Sequence, residues 1–169
     1  GWPGKHSIEY AVNSYRIADK CWLSMYGNWS NFSGKILDIK NQVNYWLWEQ
    51  NRNNKKVYAL GASTKGNTFL QVCGITKYDI PYIGEINKDK FGLITVGSGI
   101  PIIPEWKLLG MRPDYLLILP WHFIDTFKKN LKSYMENGGK LVTPMPVPGI
   151  YDMKLGVIRW TSLENHLEL

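Results

Sequence analysis

Cysteine is scarce in this chain. Cys21 and Cys73 are its two cysteines, and neither has the close Cys or His companions of a zinc site or the density of a disulfide scaffold. Both are read as reduced, buried thiols of a cytoplasmic protein. Long apolar runs are missing too. The longest, Tyr115 to Phe123, falls far short of the roughly 20 residues that cross a bilayer as a helix, so no membrane partner is expected. No Lys/Arg-led apolar segment opens the chain, and no signal peptide is read from it. Basic charge is scattered: Lys55-Lys56 and Lys128-Lys129 are doublets, not runs. A solvated surface is therefore preferred to a nucleic-acid stripe. No Ser/His/Asp or Cys/His constellation is visible, and no carboxylate pair presents itself.

What is present describes one globular domain. The chain has 169 residues, 44% apolar and 20% charged, which excludes a disordered or collagen-like polymer. It opens on Gly1 rather than Met, which reads as an excised or processed piece of something longer. With 20 Lys+Arg against 14 Asp+Glu, the net charge of +6 favours anionic partners, phosphate-bearing small molecules among them. Eight Trp and ten Tyr could stack on bases, but most sit at core-like spacings.

Ile8, Ala11, Tyr15, Ala18, Trp22 and Met25 recur at helical spacing, as do Ile36, Ile39, Val43, Trp46 and Leu47. The polar stretch Gly27 to Gly34 is read as a break between two helices. Residues 1–55 thus form a helical lead-in. From Lys56 the pattern becomes strand–helix alternation. Strands are expected at Lys56–Leu60, Ile80–Ile86, more weakly Leu93–Val96, at Tyr115–Leu119, and at Lys140–Thr143. Between them come a helix through Cys73, a short helix over Pro104–Leu109, and a helix carrying Phe123, Phe127, Leu131 and Tyr134 up to Gly138-Gly139. Such alternation implies a three-layer α/β core over residues 56–146, with a mainly parallel sheet and helices on both faces. Residues 147–169 are read as a C-terminal extension, Val157 to Trp160 being a possible extra strand. The whole is taken as a single domain.

Gly61-Ala62-Ser63-Thr64-Lys65-Gly66-Asn67-Thr68 follows a strand and opens a helix, the context of a phosphate-cradling loop. Gly61 and Gly66 match the outer glycines of G-x-G-x-x-G, with Ser63 replacing the middle one. Asn67 stands where a P-loop requires Lys, so ATP hydrolysis is not expected. Small residues at a helix N-terminus favour an anion, and Lys65 adds a cation. A tight strand-to-helix turn without a ligand is the competing reading. Gly66 is expected to permit the sharp turn into the helix, and Ser63→Ala to leave stability nearly unchanged. Glu85 lies where dinucleotide folds place a ribose-binding acid, or is an exposed strand-end carboxylate. Trp121 and His122 leave the Tyr115–Leu119 strand at the edge that carries the Ser63 loop. His122 is read as capping or exposed in preference to an acid, base or phosphate donor.

Several segments together resemble one family. They are the 61–68 loop, Tyr82 to Gly92, Gly97 to Ile102, Pro113-Asp114-Tyr115, Leu119 to Phe123, and Gly138-Gly139-Lys140. In this order, across roughly residues 35 to 146, they resemble the C-terminal domain of SAM-dependent C-methyltransferases acting on nucleotide-linked keto-deoxysugars. Glu85 stands where that family has Asp, Lys88-Asp89 replaces a Pro-containing pair, and His122 replaces Asn. The resemblance implies a Rossmann-like domain that helps hold a nucleotide-sugar, with 61–67, Glu85, Trp121 and His122 as binding residues. It implies that SAM belongs to a central catalytic domain, of the same or a partner chain, and that this chain holds no cofactor. Zinc cysteines and the catalytic His/Glu pair would lie outside this chain as well. A stand-alone nucleotide or dinucleotide module for NAD or CoA is the alternative, as is a basic nucleic-acid or protein interaction domain.

Overall fold

A computed structural model describes residues 26–159. The chain divides into two compact units, Gly1–Asp38 and Ile39–Leu169. The described part of the first is the opening of helix α1, Tyr26–Arg52. That helix is continuous through Gly27 to Gly34, where a break was expected. Gly, Asn and Ser each weaken a helix by up to about 1 kcal/mol relative to Ala, but none removes a hydrogen bond as Pro does. The helix expected over Ile8 to Met25 lies outside the described residues, as does Cys21.

The second unit alternates strands and helices. The order is β1 (Val57–Leu60), α2 (Thr64–Cys73), β2 (Ile83–Glu85), β3 (Ile102–Pro104), α3 (Glu105–Gly110) and β4 (Tyr115–Ile118). Then come α4 (Ile124–Asn130), α5 (Lys132–Glu136), β5 (Lys140–Thr143), β6 (Gly149–Asp152) and β7 (Gly156–Arg159). They form a seven-stranded sheet ordered β3-β2-β1-β4-β5-β6-β7. The first five strands are parallel, and β6 and β7 add antiparallel at one edge. This is the doubly wound Rossmann order, with its switch point between β1 and β4.

Strand period decides the layers. Val57, Ala59, Leu117 and Val142 bury against Val43, Trp46 and Leu47 of α1 and Phe69, Leu70 and Cys73 of α2. Leu60, Leu116, Ile118 and Leu141 face the other way, onto Leu108, Leu131 and Met135. Burial on both faces explains the unbroken apolar run of β4.

Local expectations fail in instructive places. Leu93–Val96 is not a strand: Leu93, Ile94 and Val96 are exposed, and Ile94 makes a single bridge to Pro101. The Thr95 hydroxyl accepts from Ile100 N (2.9 Å) and meets Ser98 Oγ at 2.6 Å, which closes a loop instead. The third parallel strand is Ile102–Pro104. Of Ile80–Ile86, only Ile83–Glu85 joins the sheet as a strand, for Pro81 has no N–H to donate. The helix over Phe123–Tyr134 is divided at Leu131. Hydrophobic spacing reads through that division because Leu131 still faces the core.

Candidate functional site

β1 and β4 pair directly, with Leu60 opposite Ile118, so their carboxyl ends lie side by side. The Gly61–Ser63 loop and the Pro120–Phe123 turn leave that shared edge where the strand order reverses. In a doubly wound sheet this is where ligands bind. Close approach of the two loops needs Gly61: its φ is +82°, and a Cβ there would meet the Pro120 ring at 2.7 Å.

A cavity of about 350 Å³ opens at this edge. Gly61, Ala62 and Ser63 line it from the β1 loop, and Glu85 and Lys90 from β2 and the turn that follows. Glu105, at the start of α3, adds a second carboxylate, while Phe123 and Phe127 supply apolar surface.

Most donors of the β1 loop are already engaged. Gly61 N donates to Gly84 O and Ser63 N to Gly61 O, each at 2.8 Å. Ala62 N donates to Glu85 Oε2 (3.0 Å), and Gly66 N to Ser63 Oγ (3.0 Å). Ser63 is thus the N-cap of α2. The N–H groups of Thr64 and Lys65, in the first turn of α2, are left without an acceptor among the described residues. The loop therefore offers fewer free N–H groups than its small side chains suggest.

Glu85 is buried rather than an exposed strand end, with 8% of its surface accessible. Its Oε1 accepts from Ile86 N (2.8 Å) and Asn87 N (3.0 Å); its Oε2 accepts from Ala62 N and Lys90 Nζ (3.4 Å). Those four donors occupy the roughly four acceptor positions of a carboxylate. Burial works to raise its pKa, but the N–H groups of Asn87 and Ile86 and the Lys90 ammonium outweigh it and hold it low. Lys90 Nζ also donates to Ala62 O (2.8 Å). Glu85 and Lys90 together clamp the β1 loop, and Glu85 keeps no free oxygen for a ribose.

The other expected site residues lie off the cavity. Thr64 and Lys65 are exposed, and Gly66 is buried inside α2. Asn67 Oδ1 is buried without a hydrogen-bond partner among the described residues. Trp121 packs edge-on to Phe69 (centroids 6.1 Å apart) and lines a second hollow of about 390 Å³. His122 is exposed, its ring 4.2 Å from that of Phe123. Lys90, Glu105, Phe123 and Phe127 are among the cavity residues that sequence reasoning did not name as site residues. Lys90 lies in the Tyr82 to Gly92 stretch that carries the resemblance, which was its available signal. Glu105 escaped because the third strand was expected at Leu93–Val96, which hid that it follows a strand end.

Among the described residues, no helix is long and apolar enough to cross a membrane, and no group of His, Cys, Asp and Glu could hold a metal ion. Fold and site define a doubly wound α/β domain with a crevice at its strand ends. The chain belongs to the family described as the C-methyltransferase C-terminal domain, whose model matches residues 4–146. It is also similar to the C-methyltransferase NovU of Streptomyces niveus, with 36% identity over 96 residues. That match covers 57% of this chain and 23% of the relative, less than a quarter of its length.

Proposed function

We propose that this domain holds a nucleotide-linked deoxysugar for a C-methyltransferase whose SAM-binding catalytic domain lies outside this chain. The observation that carries the reading is the cavity at the switch point. It combines the Lys90 ammonium with apolar surface from Phe123 and Phe127, and Ser63, which lines it, leads directly into the free N–H groups of Thr64 and Lys65. A diphosphate suits the donors, and a deoxygenated sugar ring suits the aromatic surface. Family membership and the likeness to NovU support the same reading.

SAM itself does not fit the residues present. Glu85, the strand-end acid that would hold its ribose, has its acceptor positions committed. The same fact weakens the NAD and CoA alternative. The partners this reading requires are the nucleotide-sugar and the SAM-binding domain, and its setting is the cytoplasm.

Amide shift perturbation tests the reading. dTDP-glucose, titrated into the full chain, is expected to move residues 61–65, 85–90 and 123–127. Shifts confined to another surface would overturn it. Calorimetric titration with SAM is expected to show no saturable binding in the micromolar range.

A further inference from the structure

We propose that Glu105 is the hydroxyl-reading residue of the strand-end cavity, accepting hydrogen bonds from a sugar or ribose ring laid against Phe123 and Phe127. This rests on the reading of the cavity as a nucleotide-sugar site. The cavity is lined by two carboxylates, and their situations are opposite. Glu85 is filled by four protein donors, whereas Glu105 has no hydrogen bond or ion pair among the described residues. Glu105 is also only partly buried, so a ligand can reach it.

The physics of that carboxylate favours a hydroxyl donor. Burial, and then the charge of Glu85, raise its pKa, which means that its ionised form lacks solvation. The cation that lines the cavity, Lys90, is already turned onto Glu85 and Ala62 O. Ring hydroxyls can restore the missing donors without bringing in another charge, and a bond to a charged acceptor is stronger than one between neutral groups. An anionic group could not take that place beside two carboxylates. The diphosphate is therefore placed toward Lys90 and the α2 N-terminus that follows Ser63, and the polyol toward Glu105.

Binding of dTDP-glucose and UDP-glucose, each compared with dTDP and UDP, tests this on wild type, Glu105→Ala and Glu105→Gln. Amide spectra of both variants serve as the fold control. Glu105→Ala is expected to weaken nucleotide-sugar binding about tenfold, and Glu105→Gln, which keeps one acceptor, by less. A loss seen with the glucose conjugates but not with the diphosphates assigns the hexose as the ring that is read. An equal loss in both assigns the ribose. Binding that stays within twofold of wild type in Glu105→Ala, with cavity shifts intact, overturns the role of Glu105 and leaves the nucleotide-sugar reading standing. Absence of cavity shifts with all four ligands overturns both.

Discussion

A Cβ on Gly66 would lie 2.5 Å from the Cβ of Leu119, so α2 rests its backbone directly on the residue that follows β4. Gly66 is therefore a contact residue within the helix, not the turn residue expected from the sequence. It fills the role of the last glycine in G-x-G-x-x-G, which lets helix and strand pack closely. The same contact holds the Ser63 loop beside the Pro120 turn.

Gly66→Ala tests that contact. Ala would gain up to about 1 kcal/mol in helix propensity, but overpacking costs about 1–3 kcal/mol, and both Leu119 Cβ and Ser63 Oγ (2.9 Å) stand in the way. Net destabilisation is expected in urea unfolding. Gly110→Ala is the control, since a Cβ there meets nothing within 4 Å. Equal stability of the two variants would show that α2 can move off β4.

Ser63→Ala should destabilise by about 1 kcal/mol, contrary to the expectation from sequence, because the hydroxyl caps α2 through Gly66 N. Lys65→Ala should change the unfolding midpoint negligibly, its side chain being exposed. If both variants unfold like wild type, the cap contributes nothing.

Acid should loosen the Glu85 clamp. The folded-state pKa of Glu85 is lowered, so its stabilisation is complete above the unfolded value near 4.5 and is lost as pH falls through the lower folded value. Glu85→Gln should lose about 1–3 kcal/mol at neutral pH, and the gap to wild type should narrow below pH ~4. Denaturation curves measured at both pH values that keep the same gap would contradict this.

Cys73 should be inert in the native state. Burial pushes its thiol up to about 11, with Lys40 opposing weakly, and its exposure is 4%. Iodoacetamide at pH 8 should label it only after unfolding, as read by peptide mass. Rapid native labelling of the Cys73 peptide would show that the α2 face opens.

The sequence by itself determined the parallel core. Val57–Leu60 and Tyr115–Ile118 are apolar runs, Lys140–Thr143 carries Leu141-Val142 at its centre, and all three stand between helical periods, where double burial leaves few other arrangements. It also determined that the Ser63 loop and the Pro120 turn share an edge, since parallel strands end together. The tertiary structure alone decided which acid is engaged and which is free. Glu85 ends β2 and Glu105 directly follows β3, and their spacing says nothing of who donates to them. Ala62 and Lys90 reach Glu85 across 23 and 5 positions of chain, and Glu105 receives no such partner among the described residues. Hydrophobic period records which face a residue takes, because burial acts on every apolar group alike. Ownership of a hydrogen bond depends on two particular atoms meeting within about 3 Å, and that is settled only once distant segments have packed.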